Sequence, residues 1–285
     1  LWYLGDDLER PPFEINDFPV GWKYDYLNAE ILHSRLSVNG RRIKVRGAGD
    51  YQLLILRKSE RMLLSTARKL EELVLSGAVV LGEKPRTSPS LMDDQDDVEA
   101  LRKIEDELWG EGETGMKDAG KGRVYWGKTV QEVLEAESVP KDVEVPQGLK
   151  LNWIHRKTEN AEIYFVASMH DFPVDASLSF RKNNKFPVIW DPFTGKSAPA
   201  PVWERKDGRT NIELKFAPSG SKIIVFQNAE NSSLCRKAIY QGKTILSSER
   251  GWFRVHDREK AWPAITFDNK KVVVSHPGNY SLETE

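Results

Sequence analysis

Leu151–Ala167, LNWIHRKTENAEIYFVA, is the stretch that decides how the chain divides. It reads as two strands, Leu151–Arg156 and Ala161–Ala167, joined by the turn formers Thr158, Glu159 and Asn160. From Ile163 to Val166 the second strand is apolar at nearly every position. A hairpin with one wet face alternates polar and apolar residues, so this run predicts a strand covered on both faces. Upstream the pattern alternates strand and helix, and downstream it is short strands alone. The hairpin marks the seam between an α/β part and an all-β part.

Composition bounds what those parts can do. A chain of 285 residues is long enough for two domains. Lys and Arg number 42 against 43 Asp and Glu, a formal charge of -1, which leaves no basic field for nucleic acid. No apolar run approaches the ~20 residues of a membrane helix. The single cysteine, Cys235, excludes an internal disulfide and a zinc knuckle. Nine tryptophans serve cores first and sugar sites second. The chain opens at Leu1 with the strand-like LWYLGDD and closes on the strand-like GNYSLETE, so a piece of a larger protein is expected.

Upstream of the hairpin, residues 9–20, ERPPFEINDFPV, form a proline-broken loop. Leu27, Ile31 and Leu32 share one face of a short helix starting near Asn28, and SVNGRRIKVRG turns as a hairpin at Asn39-Gly40. Strand Tyr51–Arg57, helix Met62–Leu75 with its stop at Gly77, and strand Ala78–Leu81 make a parallel crossover unit. A helix Val98–Trp109 starts at the cap Asp96-Asp97. A glycine-rich loop over 110–122, the strand GRVYWG and the helix Val130–Glu137 complete an open, flavodoxin-like α/β sheet.

That sheet shows no legible chemistry. After the first strand a dinucleotide fold needs Gly-x-Gly-x-x-Gly, and here Gly5 precedes Asp6-Asp7-Leu8. No cysteine stands on a strand-to-helix turn. The acidic cluster Asp93, Asp94, Asp96, Asp97 and Glu99 lacks calcium-loop spacing and reads as a solvated helix start.

Downstream, ASLSFR (Ala176–Arg181) alternates like an edge strand, and Asn183-Asn184 turns. In FPVIWDPFTGK, Asp191 reads either as a turn acceptor beside Pro192 and Gly195 or, with Trp190, as a sugar contact. TNIELKF and SKIIVF flank the turn at Pro218-Ser219-Gly220, and strands at this spacing make a β-sandwich over 150–228. Over 229–285, GWFRVHD, PAITFDN and KKVVVSH read as strands of a small β appendage or of a further sandwich. His155, His170, His256 and His276 lack zinc-site spacing, and no carboxylate pair stands out for glycoside chemistry. Asn231-Ser232-Ser233 and Asn279-Tyr280-Ser281 match the glycosylation pattern.

Taken in order, YDYLN (24–28), RLSVNGRRIKV (35–45), YQLLILR (51–57), LVLSGAVVLGEKP (73–85), GKGRVYWGK (120–128), LNWIHRKTENAEIYFVAS (151–168) and VIWDPFTGK (188–196) resemble the large bacterial α-L-rhamnosidases of glycoside hydrolase family 106. The likeness runs over roughly 1–228 and is most specific in WIHRKTENAEIYFV and WDPFTG, and PGNYSL (277–282) resembles a recurring strand of these proteins. The resemblance implies that the catalytic glutamates and a bound calcium belong to an (α/β)₈ barrel ahead of the matched region, so it assigns no catalytic or metal-binding residue here. It further implies rhamnose-containing glycans as substrates of the full-length protein, a catalytic barrel as partner, and a periplasmic or extracellular site.

The expectation is therefore an α/β domain at 1–149, a β-sandwich at 150–228 and a β-rich appendage at 229–285, without a cofactor and with no nucleic-acid or membrane partner. They form a non-catalytic portion of a rhamnosidase-like hydrolase, a scaffold or cleft rim that exposes an apolar patch where the barrel packs. Two alternatives stand beside it. One is a carbohydrate-binding module using Trp190, Asp191, Trp153 and Trp203. The other is a self-contained enzyme with paired carboxylates in a deep pocket.

Overall fold

The structure, a computed structural model, describes residues 1–6, 18–200 and 203–228 in full. Beyond 228 it describes the backbone of six strands. It divides into two compact units, Leu1–Pro140 and Lys141–Glu285. Residues 9–17 of the expected proline-broken loop, His256 and His276, and Asn231-Ser232-Ser233 and Asn279 of the glycosylation patterns lie outside the described residues.

The first unit begins with β1 (Trp2–Tyr3), β2 (Tyr26–Leu27), α1 (Ala29–Arg35) and the antiparallel strands β3 (Leu36–Asn39), β4 (Arg42–Val45) and β5 (Asp50–Tyr51). It continues with β6 (Leu54–Leu56), α2 (Leu64–Ser76), β7 (Val79–Leu81), α3 (Gln95–Leu108), β8 (Gly115–Ala119), β9 (Gly122–Trp126) and α4 (Val130–Ala136). Its main sheet has the order β2-β1-β6-β7-β9-β8, parallel throughout except for β8 at the edge.

Alternation along these short strands splits the core in two. Leu54, Leu56, Val80, Val124 and Trp126 join α1, α2 and α3 on one face, while Leu53, Ile55, Val79, Leu81 and Tyr125 meet Val133 and Leu134 of α4 on the other. Burial on both faces explains the unbroken apolar runs LLIL and AVVL.

Several local expectations shift when the backbone is in view. The run Tyr51–Arg57 is not one strand, since Tyr51 pairs in the hairpin sheet and Leu54–Leu56 in the main sheet. In the hairpin Asn39 pairs with Arg42, so the two-residue turn is Gly40-Arg41, with Gly40 at φ 62. Helix α3 starts earlier than the Asp96-Asp97 cap, because the Asp94 side chain accepts the N–H of Asp97 at 3.0 Å. The glycine-rich stretch 110–122 holds strand β8, whose charged Lys117 and Asp118 suit an exposed edge.

Helix α3 also buries a misfit. Glu105 is 6% exposed, and its Oε1 is buried without a hydrogen-bond partner. Burial pushes its carboxyl up, opposed by Lys84 and Arg102 and assisted by Asp106. A carboxyl raised in the folded state costs stability once pH exceeds its unfolded value. Glu105→Met is expected to stabilise the unit by about 1 kcal/mol at pH 7 and by less at pH 4. Urea denaturation at both pH values checks this.

The second unit comprises β10 (Val143–Glu144), β11 (Leu151–Lys157), β12 (Ala161–Ser168), β13 (Val174–Phe180), β14 (Phe186–Trp190), β15 (Ser197–Pro199), β16 (Trp203–Lys206), β17 (Arg209–Phe216) and β18 (Ser221–Gln227). They form two antiparallel sheets of order β10-β13-β17-β16 and β11-β12-β18-β14-β15. One cluster draws on both, with Leu178, Phe180, Ile212 and Phe216 from the first and Trp153, Tyr164, Val166, Ile224 and Phe226 from the second. Strand β10 lies upstream of residue 150 yet pairs with β13, which is thereby flanked on both sides rather than lying at an edge. Farther on, β19 (Cys235–Tyr240), β20 (Lys243–Ser247), β21 (Arg254–Val255) and β24 (Tyr280–Thr284) form a sheet of order β21-β20-β19-β24, while β22 (Thr266–Asp268) pairs with β23 (Lys271–Val273). The chain is thus mostly β-sheet, with four helices among the described residues.

Candidate functional site

The hairpin β11–β12 places its side chains by parity. Trp153 and His155 face inward, as do Glu162, Tyr164 and Val166 on the paired strand. The other parity faces out, and there the expected cover is missing: Ile154 is 52% exposed and Phe165 38%. Strand β12 is apolar on both faces; the inner face is packed, while the outer face of the sheet is covered only in part, with Val225 buried, Ile163 half-buried and Phe165 exposed. In register across four strands run Ile154, Phe165, Ile223 and Trp190. At a strand spacing of about 4.8 Å that row is about 14 Å long. A second row, Ile163–Val225–Val188, lies beside it.

The outer face of the partner sheet is the internal contrast. There Asp175 pairs with Lys215 and Ser177 with Glu213, and Lys215 stands 3.8 Å from Asp175 with both side chains exposed. One sheet face is built for water and the other is apolar.

At the end of the apolar row sits Trp190-Asp191-Pro192-Phe193-Thr194-Gly195. Asp191 Oδ1 accepts the N–H groups of Phe193 and Thr194, both at 3.0 Å, and Oδ2 accepts Lys222 Nζ at 2.9 Å. The Lys222 hydrogen bond, then that of Thr194, brings the Asp191 carboxyl down to about 2. The loop therefore fixes the backbone at Phe193, whose side chain is 98% exposed, and Trp190 before it is 44% exposed. Of the other indoles considered for sugar contact, Trp153 packs inside against Tyr164, and Trp203 lies edge-on to Phe186 beneath the Arg205 guanidinium. Both are buried and offer no open ring face to a ligand.

Sequence reasoning missed a charged cluster at one end of this core. His155 Nδ1 lies 2.7 Å from Asp142 Oδ2, and Nε2 lies 2.6 Å from Glu162 Oε2. Asp142 Oδ1 also accepts Tyr164 Oη at 3.0 Å and Arg181 Nε at 3.2 Å, and Glu162 Oε1 accepts Lys182 Nζ at 2.7 Å. Burial drives the Asp142 carboxyl up, but His155, Arg181 and Tyr164 outweigh it and the net shift is down. Glu162 is lowered likewise, with Lys182 and His155 outweighing burial. Burial and the Asp142 charge push the Tyr164 phenol up, so it stays a neutral donor. The available signal was parity, since a histidine and a glutamate stand at inward positions.

In the first unit, the parallel strands change direction of succession between β1 and β6, the place where open α/β sheets bind ligands. A cavity of only about 20 Å³ opens there beside Asp6, Arg57 and Ser59, room for one water and not for a sugar. Leu63, at the N-cap of α2, has no side-chain acceptor, and Asp6 supplies one. Its Oδ2 takes the Leu63 N–H at 2.9 Å, and its Oδ1 takes Thr66 Oγ1 and Tyr3 Oη, both at 2.6 Å. A carboxylate from within the chain thus stands at the start of α2.

Nothing in these arrangements resembles paired catalytic carboxylates in a cleft. Among the described residues no group of three or more His, Cys, Asp or Glu could hold a metal ion, and the Asp93–Glu99 cluster serves as the cap of α3. His170 Nε2 accepts the Lys150 N–H at 2.9 Å, a structural use. Among the described residues no helix is long and apolar enough to cross a membrane.

The family model of glycoside hydrolase family 106, α-L-rhamnosidase, matches residues 5–203. A protein of Formosa agariphila that bears the name of a β-glucuronidase is 31% identical over 234 residues, 80% of this chain and 19% of that protein. Among solved structures, a rhamnosidase from Novosphingobium sp. PP1Y superposes with a TM-score of 0.73 at 26% identity, covering 83% of this chain and 24% of that one. A β-galactosidase from Bacillus circulans sp. alkalophilus reaches a TM-score of 0.41 at 11% identity, over 62% of this chain and 33% of that one, too loose to carry an argument. The chain spans about a fifth to a quarter of the length of the first two relatives.

Proposed function

The chain belongs to glycoside hydrolase family 106, the α-L-rhamnosidases, and on that premise we propose that it is a non-catalytic portion of such an enzyme. Its role is to support a catalytic barrel or to form the rim of its cleft, with rhamnose-containing glycans as substrates of the whole protein. The observation that carries this reading is the apolar row Ile154–Phe165–Ile223–Trp190 on the outer face of a sheet whose sister sheet is polar outside. A face of that kind is built to be covered by another folded surface.

On this reading the first unit is a flavodoxin-like domain, since its parallel strands follow the order second-first-third-fourth-fifth. The second holds a β-sandwich up to about residue 228 and a β-rich appendage after it, with the seam at Pro140/Lys141. Trp190 belongs to the contact face, and Asp191 shapes the loop that presents Phe193 rather than gripping a sugar.

Two measurements test the proposal. The purified chain is expected to leave an aryl α-L-rhamnoside unhydrolysed, and turnover that survives purification and is absent from a mock preparation overturns the non-catalytic assignment. Ile154→Glu with Phe165→Lys keeps an opposite-charge cross-strand pair and should change stability by less than about 1 kcal/mol. It should also abolish most binding of a hydrophobic dye and any concentration-dependent self-association. Unchanged dye binding would show that this face is not the apolar contact surface.

A further inference from the structure

Both ring nitrogens of His155 face carboxylates, Asp142 at 2.7 Å and Glu162 at 2.6 Å. A neutral imidazole has one N–H and one lone pair, so either tautomer would set a lone pair against a carboxylate oxygen. The imidazolium alone donates on both sides. We infer that His155 is a cationic bolt, joining the two sheets of the second unit at this end only while its ring carries both protons, so that closure here is a proton-dependent switch.

The surrounding charges make the bolt necessary. Asp142 leads into β10 of the four-stranded sheet, and Glu162 and Tyr164 lie on β12 of the five-stranded sheet. Arg181 and Lys182, directly after β13, take the second oxygens of Asp142 and Glu162. Arg209 of β17 donates to the main-chain carbonyl of Lys141 at 2.8 Å and lies 3.5 Å from Glu144. On the histidine's own strand, Arg156 donates to the His155 carbonyl at 3.1 Å, and Lys157 stands opposite Glu162 in the strand register. Each carboxylate thus has one permanent cation and shares the imidazolium. Loss of the ring proton removes the shared cation and sets two acceptors face to face.

The side that gives way is set by the backbone. His155 stacks on Tyr164 at 4.1 Å and 10°, and β11 pairs with β12 through seven residues. Strand β10 pairs with β13 through two. Withdrawal of the segment 141–144 therefore breaks less structure than displacement of the hairpin.

Ring nitrogen NMR and amide exchange on the intact chain test this. At pH 7 both His155 ring nitrogens are expected to be protonated. As the pH is raised, loss of one ring proton should accompany an increase of about tenfold, beyond the intrinsic rate, in exchange at Arg181, whose N–H donates to the Asp142 carbonyl at 3.0 Å. Amides of β11 and β12 should keep their protection. In His155→Gln the exchange at Arg181 should no longer follow pH beyond the intrinsic rate. A neutral ring at pH 7, pH-independent opening in the wild type, or the same pH response in His155→Gln overturns the inference. Should the variant not fold, the wild-type ring spectrum and exchange profile decide it.

Discussion

Replacing Asp142 by alanine is expected to cost about 3–5 kcal/mol of the second unit's stability, the loss typical of removing one partner from a buried charged network. The carboxylate is the acceptor for Tyr164 Oη, Arg181 Nε and His155 Nδ1, and alanine leaves all three donors facing an empty space. Asp142→Asn keeps an acceptor for one or two donors but not the charge, so its loss should be smaller, about 1–2 kcal/mol. The pH dependence has a fixed sign. The folded-state carboxyls of Asp142 and Glu162 are lowered, so their contribution is fully present above their unfolded values and fades as pH falls through the folded ones. Wild-type stability should fall steeply below about pH 4, where unfolded carboxyls titrate, and Asp142→Ala should flatten that slope. Urea midpoints from pH 7 to pH 3 measure both. A loss under about 1 kcal/mol for alanine would show that the cluster is solvated and adds little.

The second large effect is expected at Gly77, where alanine should cost about 3–5 kcal/mol of the first unit's stability, from an unfavourable backbone region and from overpacking together. Gly77 ends α2 at φ 126, a conformation side chains rarely adopt, and its N–H donates to the Val74 carbonyl at 2.9 Å. A Cβ there would lie 2.2 Å from the Gly40 carbonyl oxygen. Backbone at that distance cannot rotate away as a flexible side chain would, so either the helix end or the β3–β4 turn must move. Gly40→Ala meets nothing within 4 Å and carries only the strain of φ 62, so it should cost about 1–2 kcal/mol. Equal losses at the two positions would dismiss the contact as the cause.

The helix stop at Gly77 and the hairpin near Asn39-Gly40 were each readable in the sequence, because local backbone chemistry dictates both. Their contact was not, since it joins residues 37 positions apart and leaves no periodic trace. Strand β12 teaches the same lesson. Its apolar run was visible, but the run cannot say whether the second face is covered by this chain or by another surface, and here Phe165 stands half-open. Trp153, Trp203 and Trp190 are the same residue type in similar strand contexts, and only parity and sheet position separate the two buried indoles from the exposed one. The strand β8 escaped notice because Gly115 to Ala119 has the weak β-propensity of an edge. The family resemblance was legible throughout, because it rests on ordered motifs rather than on burial.

The carboxylate of Asp6 bears on how the first unit responds to its medium. A helix end that borrows an anion from solution is saturated only when that anion is abundant, and its stability then follows buffer composition. Asp6 is covalently attached to the strand beside the helix, so its effective concentration at Leu63 and Thr66 is set by the chain and not by the buffer. Exchanging chloride for phosphate or sulfate therefore leaves the Asp6 contacts to Leu63 and Thr66 in place. The helix keeps its counter-ion through dilution, dialysis and changes of salt, and the docking of α2 onto the sheet is insulated from the ionic composition around it.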